Sequence, residues 1–167
     1  EERWSEARDY FERALDINEE LSYMHQLAST YNNLAGVYQQ QGDWDKALDL
    51  YKRAIDIAED LEMSAEVAAF WNNVGWLYET MGDLDMALQT YEKSLGIADA
   101  LAAPSLLEPV LRNLANVYQA RGDYDQAVTV VTRLVALEEQ WGLRDLEEDR
   151  QNLTSLQELA QFSSPDD

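Results

Sequence analysis

Apolar residues recur every three or four positions along most of the chain, which is the spacing of one face of an amphipathic helix. Before Gly42 they fall at Tyr31, Leu34 and Tyr38, and the same spacing resumes from Trp44 onward. Glycine is a common helix stop, and the aspartate that follows Gly42 can accept hydrogen bonds from the free amides of a new helix. The pattern therefore predicts a helix, a tight turn and a second helix.

The same pattern occurs three times at a period of 40 residues. The stretch NNLAGVYQQQGDWDKAL starts at Asn32, and NNVGWLYETMGDLDMAL and RNLANVYQARGDYDQAV follow at that interval. The segment WSEARDYFERAL from Trp4 aligns with WDKALDLYKRAI from Trp44, so the chain opens on the second half of a repeat. One helix pair cannot bury its apolar face alone, so the units are expected to stack.

The repeat resembles the tetratricopeptide repeat. The resemblance rests on an aromatic residue or Leu early in each first helix, a Leu-small or Val-small pair, a Tyr, the Gly-Asp turn, and then a buried Ala. These columns are Tyr31, Trp71 and Leu111; Leu34-Ala35, Val74-Gly75 and Leu114-Ala115; Tyr38, Tyr78 and Tyr118; Gly42, Gly82 and Gly122; and Ala47, Ala87 and Ala127. The period exceeds the usual length of about 34 residues. Forty-residue units of this kind are similar to those of kinesin light chains, cell-polarity adaptors and large bacterial regulators.

The fold class that follows is all-α: a right-handed α-solenoid of antiparallel helix pairs with about eight helices. The helices are expected at residues 4–21, 23–41, 44–61, 65–81, 84–101, 105–121, 124–141 and 145–161.

We interpret residues 1–162 as a single solenoid. The orphan second helix at 4–21 precedes three full repeats, at 23–61, 65–101 and 105–141, and the helix at 145–161 closes the C-terminal edge. The apolar set on the first helix is too wide for one neighbour. We therefore expect further repeats of a longer parent protein to cover the N-terminal edge, and we expect the isolated chain to form a homodimer through it. Residues 163–167 are expected to form a disordered tail.

The resemblance implies that the first helix of each unit lines a concave groove. The candidate partner-binding residues on those helices are Asn32, Asn33, Asn72, Asn73, Trp76, Glu79, Arg112, Asn113 and Asn116. Asparagine has modest helix propensity, so a stripe of six needs a reason. Its amides can donate to and accept from the backbone of an extended peptide. They can equally hydrogen-bond to the neighbouring unit and hold the stacking, which is the alternative for Asn33, Asn73 and Asn113.

Two other groove residues have two interpretations each. Trp76 shares its column with Gly36 and Asn116, so packing does not require an aromatic ring there; it either anchors a ligand or folds over its neighbours. Arg112 either binds a carboxylate or a backbone carbonyl of a partner or pairs with Glu79 of the preceding unit.

Charge and composition narrow the possible functions. The net charge of −21 repels phosphate backbones and anionic lipids, which disfavours nucleic-acid and membrane partners. The chain has no cysteine and a single histidine, His25, and it lacks a phosphate-binding loop. We therefore expect no enzyme activity, no cofactor and no bound metal. Nothing requires an oxidising compartment, and we expect a cytoplasmic location.

These observations predict a protein–protein interaction module that binds a peptide segment or a partner protein in its concave groove. The excess of acidic residues outside the groove favours a neutral to basic partner. Two alternatives stay open at this point: a structural or oligomerisation arm of a larger regulator, and a signalling-peptide sensor domain of a transcriptional regulator.

Overall fold

The computed structural model describes residues 2–142 and 146–163, and within them the chain forms eight α-helices and no strand. The helices are α1 (Glu2–Glu20), α2 (Met24–Gln40), α3 (Trp44–Asp60), α4 (Ser64–Met81), α5 (Leu84–Leu101), α6 (Pro104–Arg121), α7 (Tyr124–Trp141) and α8 (Leu146–Ser163). The all-α class is confirmed, and each predicted helix end lies within two residues of the observed one. Of the tail predicted at 163–167, Ser163 ends α8 and the rest lies outside the described residues.

The chain divides into two compact units, residues 1–97 and 98–167. In the first unit, α2 packs against α1 and α3, and α3 packs against α4. In the second unit, α7 packs against both α6 and α8. The helix pairs α2–α3 and α6–α7 are thus the predicted repeat units, while the expectation that residues 1–162 form a single solenoid stays a prediction.

The Gly-Asp turns adopt the predicted geometry. Gly42, Gly82 and Gly122 have φ values of +78°, +80° and +78°, a left-handed conformation that side chains other than glycine's rarely adopt. The Asp43 and Asp83 carboxylates each accept a hydrogen bond from the amide three residues further on, at 3.5 and 3.1 Å. The turn therefore both ends one helix and starts the next.

Small residues on the first helices permit close packing against the second helices. A Cβ atom added to Gly75 would lie 2.4 Å from Cε1 of the Tyr91 ring, so this position accepts glycine alone unless the ring moves. Ala35, the equivalent residue on α2, is fully buried, as is Ala47 on α3. The predicted close approach of the two helices is present, with an aromatic ring from the second helix seated on the small residue of the α4–α5 pair.

The two ends of the chain differ from each other less than the sequence suggests. On α1, Tyr10 is 70% exposed and Ile17 is 54% exposed. On α8, Leu156 is buried, but Leu159 and Phe162 are exposed. The prediction of a closed C-terminal edge is therefore wrong in part, because the apolar set of α8 is wider than the single face that α7 covers.

Candidate binding surface on the first helices

In the first unit, the helices α2 and α4 are joined by two side-chain hydrogen bonds. Asn73 Nδ2 donates to Asn32 Oδ1 at 2.9 Å, and Gln39 Nε2 donates to Thr80 Oγ1 at 3.3 Å. Each bond links residues 41 apart, one more than the repeat period, and the two bonds lie two helical turns apart along α2. The amides thus form a neutral ladder between neighbouring first helices.

This ladder supports the stacking interpretation for Asn73. The Asn73 side chain donates its hydrogen bond to Asn32 of the neighbouring first helix. Asn32 in turn donates to Asn33 Oδ1 at 3.4 Å. Asn33 itself is exposed, while Asn72 is half-buried. A ligand on this surface would therefore meet Asn33 directly, with Asn32 and Asn73 holding the surface in place beneath it.

Trp76 is the large apolar side chain of this stripe and is 44% exposed. The Thr80 hydroxyl donates to the Trp76 carbonyl at 2.8 Å, a contact within α4 that leaves the indole unaffected. The equivalent residue on α2 is Gly36, where an added Cβ would meet only the Tyr51 hydroxyl, at 3.7 Å. Packing therefore does not require glycine at position 36. On α4 the same position carries the Trp76 indole, which is open to solvent.

Glu79 is placed differently from the prediction. It faces the second helix of its own pair, where its Oε2 accepts a hydrogen bond from the Tyr91 hydroxyl at 2.9 Å. Burial and this carboxylate raise the pKa of Tyr91 above its usual range. The α2–α3 pair has the same arrangement, with the Tyr51 hydroxyl donating to Gln39 Oε1 at 3.1 Å. Glu79 therefore supports the helix pair, and its predicted contact with a partner stays a prediction.

In the second unit, Arg112 of α6 lies in a cluster of carboxylates rather than facing a ligand. Its Nε donates to Glu108 Oε1 at 3.1 Å, its Nη2 to Glu138 Oε1 at 3.1 Å, and its Nη1 to Asp149 Oδ1 at 2.9 Å. Glu138 is fully buried and Asp149 nearly so. Arg112 thus links α6 with α7 and α8, and its predicted contact with a partner stays a prediction.

The buried carboxylates of this cluster are also electrostatically coupled. Burial, and then the neighbouring Asp149, raise the pKa of Glu138 to about 7, against the opposing effect of Arg112. Glu138 Oε2 is buried without a hydrogen-bond partner among the described residues. A proton held on Glu138 lowers the negative charge that a single guanidinium has to balance.

Sequence reasoning missed Glu138, although a signal was present. Its column holds Ala58 and Ala98 in the two preceding repeats, and both alanines are fully buried. An acid in an otherwise small and buried column indicates a buried charge that needs a partner. On the exposed side of α6, Asn116 is exposed and Asn113 is half-buried.

A second pattern that sequence reasoning missed joins cations of the second helices to rings of the first helices. Lys46 lies 5.0 Å from the Tyr38 ring centre, Arg53 lies 5.9 Å from that of Tyr31, and Lys93 lies 4.3 Å from that of Trp71. The Arg53 and Lys93 contacts lie one repeat period apart. Each joins the second helix of a pair to the first, in the α2–α3 pair and in the α4–α5 pair.

Neither a metal site nor a membrane segment occurs in the part of the chain that the structure describes. Those residues contain no group of three or more His, Cys, Asp or Glu side chains arranged to hold a metal ion. Among the same residues, every helix falls short of the length and apolar character needed to cross a membrane.

Many solved structures resemble this one, among them the following three. BtubC (BKLC) from P. vanneervenii is 29% identical, with a TM-score of 0.76 over 85% of this chain and 59% of that chain. The TPR-like repeats of a Podosopora anserina protein assigned as a kinesin light chain are 21% identical, with a TM-score of 0.68 over 95% of this chain and 84% of that one. A Rap protein complexed with Competence and Sporulation Factor is 23% identical, with a TM-score of 0.75 over 92% of this chain and 49% of that one.

This chain therefore spans little more than half of the BtubC chain and about half of the Rap chain. No curated protein matches it. A tetratricopeptide repeat family model matches residues 1–60 and 26–100, and a second tetratricopeptide repeat model matches residues 110–152. These matches cover the three aligned units and the orphan helix before them, and the chain belongs to the tetratricopeptide repeat family.

Proposed function

We propose that the stripe on α2 and α4 binds a peptide segment of a partner protein, with Trp76 as its anchor. The observation that carries the proposal is the exposure of the Trp76 indole, at 44%, at a position whose equivalent on α2 is glycine. A large aromatic side chain that can be fully desolvated by a ligand is the commonest type of interface hot spot. Binding of proteins or peptides is the general role of the tetratricopeptide repeat family, which agrees with this proposal.

The polar part of the stripe favours a backbone ligand. Asn33 is exposed and carries both a donor and an acceptor, as does a peptide group. Asn32 and Asn73 are fixed by their mutual hydrogen bond, so the surface under the ligand is ordered before binding. Glu79 is turned toward Tyr91, so the other named residues of this stripe are neutral. The net charge of −21 on the whole chain attracts basic groups at long range, so we expect the peptide to be neutral to basic.

The Rap match supports this proposal only at the level of the fold. That protein was solved in complex with Competence and Sporulation Factor, and it shares the repeat architecture at 23% identity.

The test is a selection from a displayed library of random peptides on the wild-type chain, followed by anisotropy titration of the selected peptides. Trp76→Ala is expected to weaken binding by at least about tenfold, because a hot-spot truncation costs about 2 kcal/mol or more. Trp44→Ala is the matched control, since Trp44 is 40% exposed but lies at the start of α3. Peptides that bind both variants with equal affinity would assign the binding site to another surface.

A further inference from the structure

A cavity of about 550 Å³ lies between α1, α2 and α3 in the first unit. That volume falls within the range of about 300–1,000 Å³ that is typical of ligand pockets. The apolar part of its lining consists of one leucine from each helix, namely Leu15, Leu34 and Leu50. Leu34 is buried and the other two are half-buried, so the leucines form the deeper part of the cavity.

Two similar groups of polar side chains stand at the two ends of this cavity. One group consists of Glu12, Tyr38 and Lys46, and the other of Glu19, Tyr31 and Arg53. In each group the tyrosine hydroxyl donates to the glutamate, at 3.0 and 2.9 Å, and the cation lies 5.0 and 5.9 Å from the centre of the tyrosine ring. On every helix the two groups are seven residues apart, which is about 10 Å along the helix axis.

Asp16 lies on α1 between these two groups. The other three carboxylates of the cavity are paired, two with the tyrosines and Asp49 with Arg53 at 2.9 Å. Lys46 is likewise paired, at 3.0 Å from Asp43. Within the part of the chain that the structure describes, the Asp16 carboxylate has neither a hydrogen bond nor an ion pair. The cavity therefore combines an apolar lining with one unpaired negative charge.

The next repeat shows that helix packing does not require this set of side chains. Forty residues later, the equivalents of Glu12, Lys46 and Leu50 are Lys52, Met86 and Thr90. The equivalent of Asp16 is Asp56, which is exposed and lies four residues after Lys52, so that a positive charge stands beside it on the same helix face. Helix α3 nevertheless packs against α4. The leucine lining and the glutamate of the first repeat are thus not fixed by the fold.

We propose that this cavity binds an aliphatic ammonium group, with its hydrocarbon stem against the three leucines and its nitrogen at Asp16. An ammonium group has three donors and no acceptor, which suits a cavity whose unpaired polar group is a carboxylate. The stem is removed from water by the leucines while the charged end stays near the rim. The cavity shares no residue with the stripe on α2 and α4, and the inference does not rest on the function proposed for that stripe.

The probe is n-pentylamine, which is protonated at pH 7 as a lysine side chain is. Titration into the ¹⁵N-labelled chain is expected to shift the amide signals of the cavity residues saturably, with a Kd of about 10 mM or tighter. Ethylamine has the same charge and a shorter stem, and it is expected to bind at least about tenfold more weakly because fewer methylene groups are buried. n-Pentanol, which has the stem without the charge, is also expected to bind more weakly than n-pentylamine.

Three variants locate the binding site. Asp16→Asn is expected to weaken n-pentylamine binding at least about threefold, whereas its matched control Asp56→Asn is expected to leave binding unchanged. Leu50→Thr introduces the residue of the next repeat and keeps every charge, and it is expected to weaken binding at least about twofold. Circular dichroism confirms that each variant is folded, and the comparison of the two amines needs no variant.

A second titration distinguishes the two sources of such a group. Nα-acetyl-lysine N-methylamide presents a lysine side chain without free termini. If it shifts the same signals with an affinity within about threefold of that of n-pentylamine, the ligand is a lysine side chain of a partner protein. If n-pentylamine binds and the lysine derivative does not, the ligand is a free alkylamine.

Three outcomes would overturn the proposal. One is the absence of saturable shifts at the cavity residues with either compound. Another is equal affinity for ethylamine and n-pentylamine, which would mean that the acidic surface attracts any cation and that the leucines have no part in binding. The third is an equal loss of affinity in Asp16→Asn and Asp56→Asn.

Discussion

The two units of this chain use opposite chemistry to connect their helices. In the first unit, α2 and α4 are joined by neutral amides and a hydroxyl, through Asn32–Asn73 and Gln39–Thr80. In the second unit, Arg112 joins α6 to α7 and α8 through the buried carboxylates of Glu138 and Asp149. A common repeat pattern thus accommodates either a neutral or an ionic connection.

The difference shows what each type of connection requires. The hydrogen bond between Asn32 and Asn73 is complete with two partners, and losing one of them leaves a group that water can still reach because both residues are half-buried. A buried ionic cluster is stable only when every charge is balanced, because an unpaired buried charge costs far more than the pair contributes. The second unit is therefore expected to be sensitive to single substitutions and to pH, and the first unit to be tolerant of both.

The largest effect is expected from Arg112→Met. This change leaves Glu138 and Asp149 buried without their guanidinium and is expected to destabilise the second unit by about 3 kcal/mol. Urea denaturation followed by far-UV circular dichroism measures the loss. Arg133→Met removes a more exposed ion pair with Asp99 and is expected to cost about 0–1 kcal/mol. Equal losses in the two variants would refute the buried-cluster account.

An intermediate effect is expected from pH. Because the pKa of Glu138 is raised from 4.5 to about 7 in the folded chain, the folded state holds a proton that the unfolded state has released at neutral pH. The resulting stabilisation is complete below about pH 4.5 and is lost as the pH rises through about 7. Between pH 5 and pH 8.5 the second unit is expected to lose about 1–3 kcal/mol.

The matched variants for this pH dependence are Glu138→Gln and Glu139→Gln. Glutamine at 138 is neutral at every pH, so the loss of stability between pH 5 and 8.5 should shrink in the first variant. Glu139 is exposed and pairs with Arg150, so the second variant should keep the wild-type slope. A slope that is unchanged in Glu138→Gln would show that another group carries the proton.

The smallest effect is expected from Asn73→Ala, which removes the amide bridge between α2 and α4. The loss relative to Asn116→Ala is expected to be about 1 kcal/mol, the net value of one partly buried hydrogen bond. Asn116→Ala is the control because Asn116 is exposed and both substitutions bring the same gain in helix propensity. Identical melting curves for the two variants would indicate that the Asn32–Asn73 bond contributes nothing to the first unit.

The periodic part of the fold could be predicted from the sequence because it repeats. The helix bounds and the left-handed glycines follow from apolar spacing and the Gly-Asp turns, which occur three times and so reinforce one another. What could not be predicted is which polar side chains pair with one another. Arg112, Glu138 and Asp149 meet across three helices, and Glu79 turns toward Tyr91, so their partners depend on side-chain directions that a linear pattern does not contain.

The contact between Gly75 and Tyr91 constrains the order in which this chain can change its sequence. Gly75→Ala alone places a Cβ 2.4 Å from the Tyr91 ring, so it is disfavoured as a first step. Tyr91→Val made first would open that space and allow the alanine to follow, giving the combination that Ala115 and Val131 already form in the third repeat. The reverse order requires the ring to shift, and the buried Ala35 and Tyr51 of the first repeat are a pair in which alanine and tyrosine coexist.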